Sequence, residues 1–195
     1  YWNPGDKKGY HAWTIAMYQN EICKRVDPLK KPLHRFFKDE IADALDIDFH
    51  IGLPKEIPQH RIAQLIPFLP QEAFTGKQNT DLGRIMKGIL NPFSHFYKSL
   101  LNPPHALNLN NFNNRKYVEI PNGSAHGFGN ARSIAQTYNE FATGGKTLHI
   151  RKETLTALEA APIHPKHGKN DLVLNVDIPF SLGFAKPSEF QNFGI

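Results

Sequence analysis

The sequence predicts a fold of mixed helices and short strands, and three observations carry that prediction. The N-terminal part has apolar residues spaced three and four apart, as in amphipathic helices. The stretch 46–54 alternates polar and apolar residues, which is typical of a half-buried strand. The last third combines a glycine-rich loop, further helical periodicity and short strand-like runs. The length of 195 residues suits one hydrophobic core, so we predict a single domain over 1–195.

The first fifty residues predict two helices and a strand. After a Pro4-Gly5 turn, apolar spacing predicts a helix over 10–26, which Asp27-Pro28 ends. A second helix opens at Lys31-Pro32, and its apolar face is formed by Leu33, Phe36, Phe37, Ile41 and Leu45. The strand over 46–54 follows and ends at a Gly/Pro stop.

The middle of the chain is less regular. Periodicity does not decide between helix and strand over 57–69, where we predict extended structure. Short helices are predicted over 82–90 and 93–101, followed by a polar tract rich in asparagine. We predict that residues 70–115 form an insertion or elaborated surface loop, with a decorated loop favoured over a lid.

The last third is patterned more clearly. A glycine-rich loop over 120–129 leads into a helix, with Asn130 as its N-cap and Gly144-Gly145 as its C-terminal stop. Another helix is predicted over 152–160, and strands are predicted over 172–174 and 180–184.

Composition argues against several functional classes. The net charge of +5 is mild and the basic groups are interrupted by acidic residues, so we predict no nucleic-acid partner. The single Cys23 excludes an internal disulfide, and no histidine or cysteine spacing typical of zinc occurs, so we predict no metal. Gly127-x-Gly129 lacks the rest of a phosphate-binding motif, and no cofactor is predicted. No apolar run approaches the ~20 residues that a membrane-spanning helix needs.

Five segments occur in an informative order. They are Pro4-Gly5 with Tyr10, the helix ending at Val26-Asp27-Pro28, the block 33–53, the stretch 125–145 with its helix start Asn130-Ala131-Arg132-Ser133-Ile134-Ala135 and closing Gly144-Gly145, and the run 180–184. In this order they resemble the β-lactamase-related serine hydrolases, a family that includes penicillin-binding proteins, class C β-lactamases and esterase-like members. The resemblance covers about two thirds of the chain and leaves residues 70–115 unmatched.

The resemblance implies both a fold and a chemistry. The fold would be α+β, of the serine β-lactamase and DD-peptidase type, with an antiparallel sheet flanked by helices and this segment carrying mostly the helical region. The chemistry would be hydrolysis of a small ester or amide substrate through an acyl-enzyme, in which a Ser-x-x-Lys serine is the nucleophile. In the family a lysine and a tyrosine exchange the serine proton, and the residue that matches this tyrosine is Tyr10. Tyr10 is therefore our candidate catalytic residue.

Several departures from the family pattern limit what the resemblance implies. In the family the tyrosine belongs to a Tyr-x-Asn triplet, and here the triplet is Tyr10-His11-Ala12. The replacement of the asparagine by Ala12 favours ester or peptide hydrolysis over true β-lactamase activity. In the family a third motif, Lys-Thr-Gly or His-x-Gly on a strand, lines the pocket. Lys146-Thr147-Leu148 and His50-Ile51-Gly52 resemble this motif, but the first follows the helix end at Gly144-Gly145 and the second ends the early strand. None of the serines has a lysine at the third following position: Ser94, Ser99, Ser124, Ser133, Ser181 and Ser188.

Family order implies that the nucleophile precedes Tyr1 and that the third motif follows Ile195, so the chain would be an internal fragment that is inactive alone. Two functions stay open at this point. The main hypothesis is a fragment of a serine hydrolase. The alternative is an inactive family member that serves as a structural or binding scaffold, which Ala12 and the enlarged 70–115 region motivate.

Overall fold

The computed structural model describes residues 2–66, 88, 90–101 and 108–188. Short helices and two small antiparallel sheets make up these ranges, in agreement with an α+β fold. The helices and strands are, in chain order, α1 (Ile15–Val26), α2 (Leu33–Phe37), β1 (Phe49–Ile51), α3 (His95–Leu100), α4 (Arg115–Val118), β2 (Gly127–Gly129), α5 (Ala131–Thr143), α6 (Lys152–Glu159), β3 (Phe180–Ser181) and β4 (Phe184–Ala185).

The chain divides into two compact units. The first comprises the described residues of Tyr1–His11, Phe68–Leu107 and Thr156–Ile195, and the second comprises those of Ala12–Pro67 and Asn108–Leu155. Within the described ranges, no helix has the length and apolar character needed to span a membrane. Of the helix predicted over 82–90, only residues 88 and 90 are described, so that prediction lies outside the described residues.

In the second unit, the two predicted N-terminal helices are present with changed bounds. Helix α1 ends at Val26 as predicted but begins at Ile15. The second helical segment starts as α2 and continues as a π-helical turn over Lys38–Ala42. The side-chain oxygen of Asn20 accepts a hydrogen bond from the backbone N–H of Leu33 at 2.9 Å, which joins the start of α2 to α1.

The predicted strand over 46–54 is shorter than expected, and its partner is the predicted glycine-rich loop. Strand β1 pairs antiparallel with β2, so that Phe49 faces Gly129 and Ile51 faces Gly127. A Cβ atom at residue 127 would lie 2.9 Å from the Phe49 Cζ atom, closer than real Cβ contacts allow. The glycines over 127–129 thus admit the Phe49 ring. The loop prediction for these residues was wrong because a long-range pairing makes them a strand.

The helices of the last third agree well with the sequence prediction. The side-chain oxygen of Asn130 accepts a hydrogen bond from the Ser133 N–H at 2.9 Å, which makes Asn130 the N-cap of α5. Gly144 ends the helix with a φ of 98°, a left-handed conformation that glycine adopts without strain. Helix α6 lies within the predicted range 152–160.

In the described part of the range 57–69, residues 57–66, a short helical turn interrupts the predicted extended structure, and the polar tract contains another helical turn. Single 3₁₀ turns form over Gln59–Arg61 and Leu109–Asn113, and the unpredicted α4 follows the second. The Val118 side chain of α4 is only 1% exposed. From the polar tract, Phe112 packs edge-on against Tyr117 and His126, with ring centroids 5.6 and 5.7 Å apart. These rings help to form the interior of the second unit.

In the first unit, two strand predictions need correction. Residues 172–174 form a turn, because the buried Asp171 carboxylate accepts the N–H groups of Val173 at 2.8 Å and Leu174 at 2.9 Å. The single strand predicted over 180–184 is instead the hairpin β3–β4. Its connection, Leu182-Gly183, has positive φ at both positions (47° and 86°), as a two-residue type I′ turn requires.

Candidate functional site

Tyr10 lies in a segment without helix or strand structure that follows the predicted Pro4-Gly5 turn. The Asp6 N–H donates to the Asn3 carbonyl at 3.1 Å, and Gly5 has a φ of 84°, which are the features of a type II turn. The Tyr10 residue is 42% exposed. Its side chain is therefore open to solvent in the first unit.

The backbone around Tyr10 is held by partners that are distant in sequence. The carbonyls of Gly5 and Lys8 accept the N–H groups of Lys166 and Leu172, both at 3.0 Å. The Tyr10 carbonyl accepts the Ser99 hydroxyl at 2.9 Å. These bonds hold residues 7–10, which follow the turn, outside any helix. Helix α1 therefore begins later than predicted, and placing Tyr10 at the start of that helix was wrong.

Lys8 anchors this segment through its side chain. Its ammonium group lies 2.9 Å from the Asp177 carboxylate and donates to the Ile178 carbonyl at 3.2 Å. Both members of the ion pair are mostly buried, with side chains 22% and 29% exposed. The Lys8 side chain thus connects the Tyr10 segment to the residues that precede β3. No local sequence motif predicted this contact.

The other residues named in the sequence analysis contribute to turns, backbone contacts or helix ends. Ala12 lies in a turn of the second unit, and Ser99 is engaged with the Tyr10 backbone. The Glu140 carboxylate accepts the N–H of Thr147 at 2.9 Å, so the Lys146-Thr147-Leu148 stretch serves to close the end of α5. Within the described residues, no group of three or more His, Cys, Asp or Glu side chains is arranged to hold a metal ion.

A second candidate site is a cavity of about 550 Å³ in the second unit. Most of its wall is apolar, and a polar cluster of Asp48, His50 and Arg61 lies on it. The Asp48 carboxylate contacts His50 Nε2 at 3.1 Å with one oxygen and an Arg61 terminal nitrogen at 2.6 Å with the other. The hydrogen bond from His50 and the Arg61 guanidinium hold the Asp48 pKa below its ordinary value.

The sheet explains why two of these polar residues meet. Side chains at alternate strand positions share a face, and so do residues paired across a ladder. Asp48 and His50 are two apart, and His50 pairs with Phe128, which also lines the cavity. Arg61 comes from a separate 3₁₀ turn. The sequence indicated this cluster only through the polar positions of the alternating stretch 46–54, which include Asp48 and His50. That alternation predicted a half-buried strand and not a binding site.

His126 is a buried polar group close to this site in sequence. Its side chain is 3% exposed, and its Nδ1 lies 2.6 Å from the Ile120 carbonyl oxygen. Among the described residues, its Nε2 has no hydrogen-bond partner. The rings of Phe112 and Tyr117 pack against the imidazole, with centroids 5.7 and 4.8 Å away. His126 therefore acts as an interior aromatic residue, while its neighbours Ala125 and Gly127 line the cavity.

Comparison with known proteins identifies a structural relative. No protein family model matches the chain, and no curated protein sequence matches it. The chain is similar to the solved structure of EstA from Arthrobacter nitroguajacolicus Rue61a, with a TM-score of 0.69 and 25% sequence identity. The match covers 96% of this chain but 46% of EstA, so the chain spans about half the length of that protein. The likeness supports an esterase-like hydrolase fold, and the narrower β-lactamase and DD-peptidase assignment stays a prediction.

Proposed function

We propose that this chain is part of an esterase-like serine hydrolase. The observation that carries the proposal is the likeness to EstA, an esterase, over 96% of the chain. The nucleophile would be a Ser-x-x-Lys serine outside these 195 residues, since none of the serines here has that spacing. The substrate would be a small ester, because Ala12 stands where the β-lactamases that the chain resembles have an asparagine that favours amide recognition.

Tyr10 is the proposed proton carrier. In acylation, the serine oxygen would bond to the ester carbonyl carbon while its proton passes to the Tyr10 oxygen, with the lysine of Ser-x-x-Lys taking part in the exchange, and the same proton would then go to the departing alkoxide. Water would release the acid by the reverse proton path and regenerate the serine. Two features support Tyr10 in this role: its side chain is exposed, and its backbone is held by Ser99 and by the anchored Lys8.

The test uses the full-length protein and hydrolysis of a short nitrophenyl ester. Replacing Tyr10 by Phe removes only the phenolic oxygen, and we expect kcat/KM to fall roughly 10²- to 10⁴-fold, as for loss of a general acid–base group. The matched control is Tyr18→Phe, which makes the same change on the exposed surface of α1 and should leave the rate unchanged. Wild-type kcat/KM in Tyr10→Phe would remove Tyr10 from the mechanism.

Labelling with a fluorophosphonate separates the hydrolase from the scaffold hypothesis. The reagent phosphonylates an activated serine, and mass spectrometry of the labelled full-length protein locates it. Label on a serine followed by lysine at the third position supports the hydrolase. A protein that takes no label and turns over no ester would instead be the non-catalytic scaffold.

A further inference from the structure

We propose that the cavity in the second unit binds a small carboxylic acid with an apolar body, whose carboxylate pairs with Arg61. The cavity of about 550 Å³ falls in the size range of small-molecule sites, about 300–1,000 Å³. It also has the usual make-up of such sites, a largely apolar wall with a few convergent polar groups. This proposal concerns residues other than Tyr10 and does not depend on the hydrolase function.

The apolar wall comes from parts of the chain that are far apart in sequence. Leu53 and Ile57 follow β1, Phe112 comes from a 3₁₀ turn, and Phe128 comes from β2. Leu53 is 2% exposed, and Phe112 is packed against the buried His126, so this part of the wall is firmly supported. An alkyl or aryl body placed here would leave water for an apolar surface, which favours binding.

The charges at the polar cluster select the head group. Asp48 is already neutralised by Arg61, and both of its oxygens are engaged, one with His50 and one with Arg61. With a neutral His50 the three side chains sum to zero charge, and with a protonated one they sum to +1. A cationic ligand would find no free negative charge in the cluster.

Arg61 can serve a second carboxylate. A guanidinium has five N–H donors, and within the described residues the one hydrogen bond made by the Arg61 guanidinium goes to Asp48 through a terminal nitrogen. The Arg61 side chain is 51% exposed, so a ligand can reach it from the cavity without displacing Asp48. A carboxylate is the group that this donor set matches best, since arginine binds carboxylates through paired, charge-assisted hydrogen bonds.

The experiment measures binding of decanoate and of decanol to the full-length protein by titration calorimetry. We expect decanoate to bind the wild type, and Arg61→Gln to weaken decanoate about tenfold while changing decanol less than about twofold, because only the acid uses the charged hydrogen bonds. Arg25→Gln, at an exposed position of α1, is the matched charge control and should bind decanoate like the wild type.

A second variant tests the position of the ligand. Ala63 lines the cavity and is exposed, so Ala63→Phe should fill the site without disturbing the interior, and its melting temperature should match the wild type. We expect this variant to lose both ligands. The proposal is overturned if the wild type binds no decanoate. This result is also expected if another part of the full-length protein fills the cavity, and it overturns the proposal in that case too. The proposal is equally overturned if Ala63→Phe binds normally, or if Arg61→Gln weakens acid and alcohol alike.

Discussion

Phe49 pairs with Gly129 across the β1–β2 ladder, and its ring occupies the space that a side chain at 129 would need. A Cβ atom there would also lie 2.8 Å from the Asp48 carbonyl oxygen, which belongs to the backbone and cannot rotate away. The Phe49 ring and the Asp48 backbone together require glycine at position 129. The same strand pair places His50 and Phe128 on the wall of the cavity, so this contact supports the second candidate site.

The first prediction follows from this contact. Gly129→Ala should lower the free energy of unfolding by about 1–3 kcal/mol, the usual cost of overpacking a well-filled site. Chemical denaturation measures the change. Gly123→Ala is the control, because its new methyl would meet the flexible Leu33 side chain at 3.3 Å and should cost less. Equal losses in the two variants would show that the Phe49 contact is not the cause.

The N-cap of α5 gives the second prediction. Asn130→Ala removes the oxygen that accepts the Ser133 N–H and should cost about 1 kcal/mol of stability, a typical capping loss. Asn130→Asp keeps an acceptor at the same place and adds a negative charge at the helix N-terminus, so its stability should equal or exceed that of the wild type. Urea unfolding of the three proteins at neutral pH tests the order.

The third prediction concerns Arg115. Its guanidinium donates to the carbonyls of Pro54 at 2.5 Å and Ile57 at 2.6 Å and pairs with Glu119 at 2.7 Å. Arg115→Lys keeps the charge but cannot reach three acceptors in different directions, so we expect a loss of about 2 kcal/mol. Faster proteolysis within residues 54–58 should accompany it. The same change at the exposed Arg132 of α5 should have no effect on either measurement.

The fourth prediction is a pH dependence at Glu140, which is 7% exposed. Hydrogen bonds from the backbone N–H groups of Leu148 and Thr147 hold its pKa below the ordinary 4.5. A lowered folded-state pKa means that the stabilisation is complete above pH 4.5 and is lost as pH falls through the folded value. Glu140→Gln should therefore be less stable than the wild type near neutral pH, and the difference should shrink in acid. A constant difference across this pH range would contradict the assignment.

The fifth prediction tests the anchoring of the Tyr10 segment and rests on the proposed function. Lys8→Met keeps the aliphatic stem but removes the ion pair with Asp177, so the segment should loosen. We expect ester kcat/KM to fall about tenfold, less than for Tyr10→Phe, because the phenol remains but is held less well. The neighbouring Lys7 is exposed, and Lys7→Met should keep the wild-type rate. Equal rates in the two variants would rule out an anchoring role for Lys8.

Local features of this protein were determined by the sequence alone. Asn130 and Gly144 bound α5 as predicted, since a cap acts on N–H or carbonyl groups only a few residues away. The Pro4-Gly5 turn is local for the same reason. The likeness to EstA agrees with the esterase-type resemblance read from the motif order, while the role of Tyr10 stays a prediction.

Tertiary structure alone decided the features that depend on distant partners. Residues 127–129 became a strand because β1 supplied the hydrogen bonds and Phe49 filled the space above the glycines. Tyr10 lies outside α1 because its carbonyl accepts a hydrogen bond from the Ser99 hydroxyl. Arg61, from a 3₁₀ turn, binds Asp48, which directly precedes β1, and no periodic pattern links these two segments in the sequence. Such contacts depend on which segments meet after folding, and no pattern along the chain specifies them.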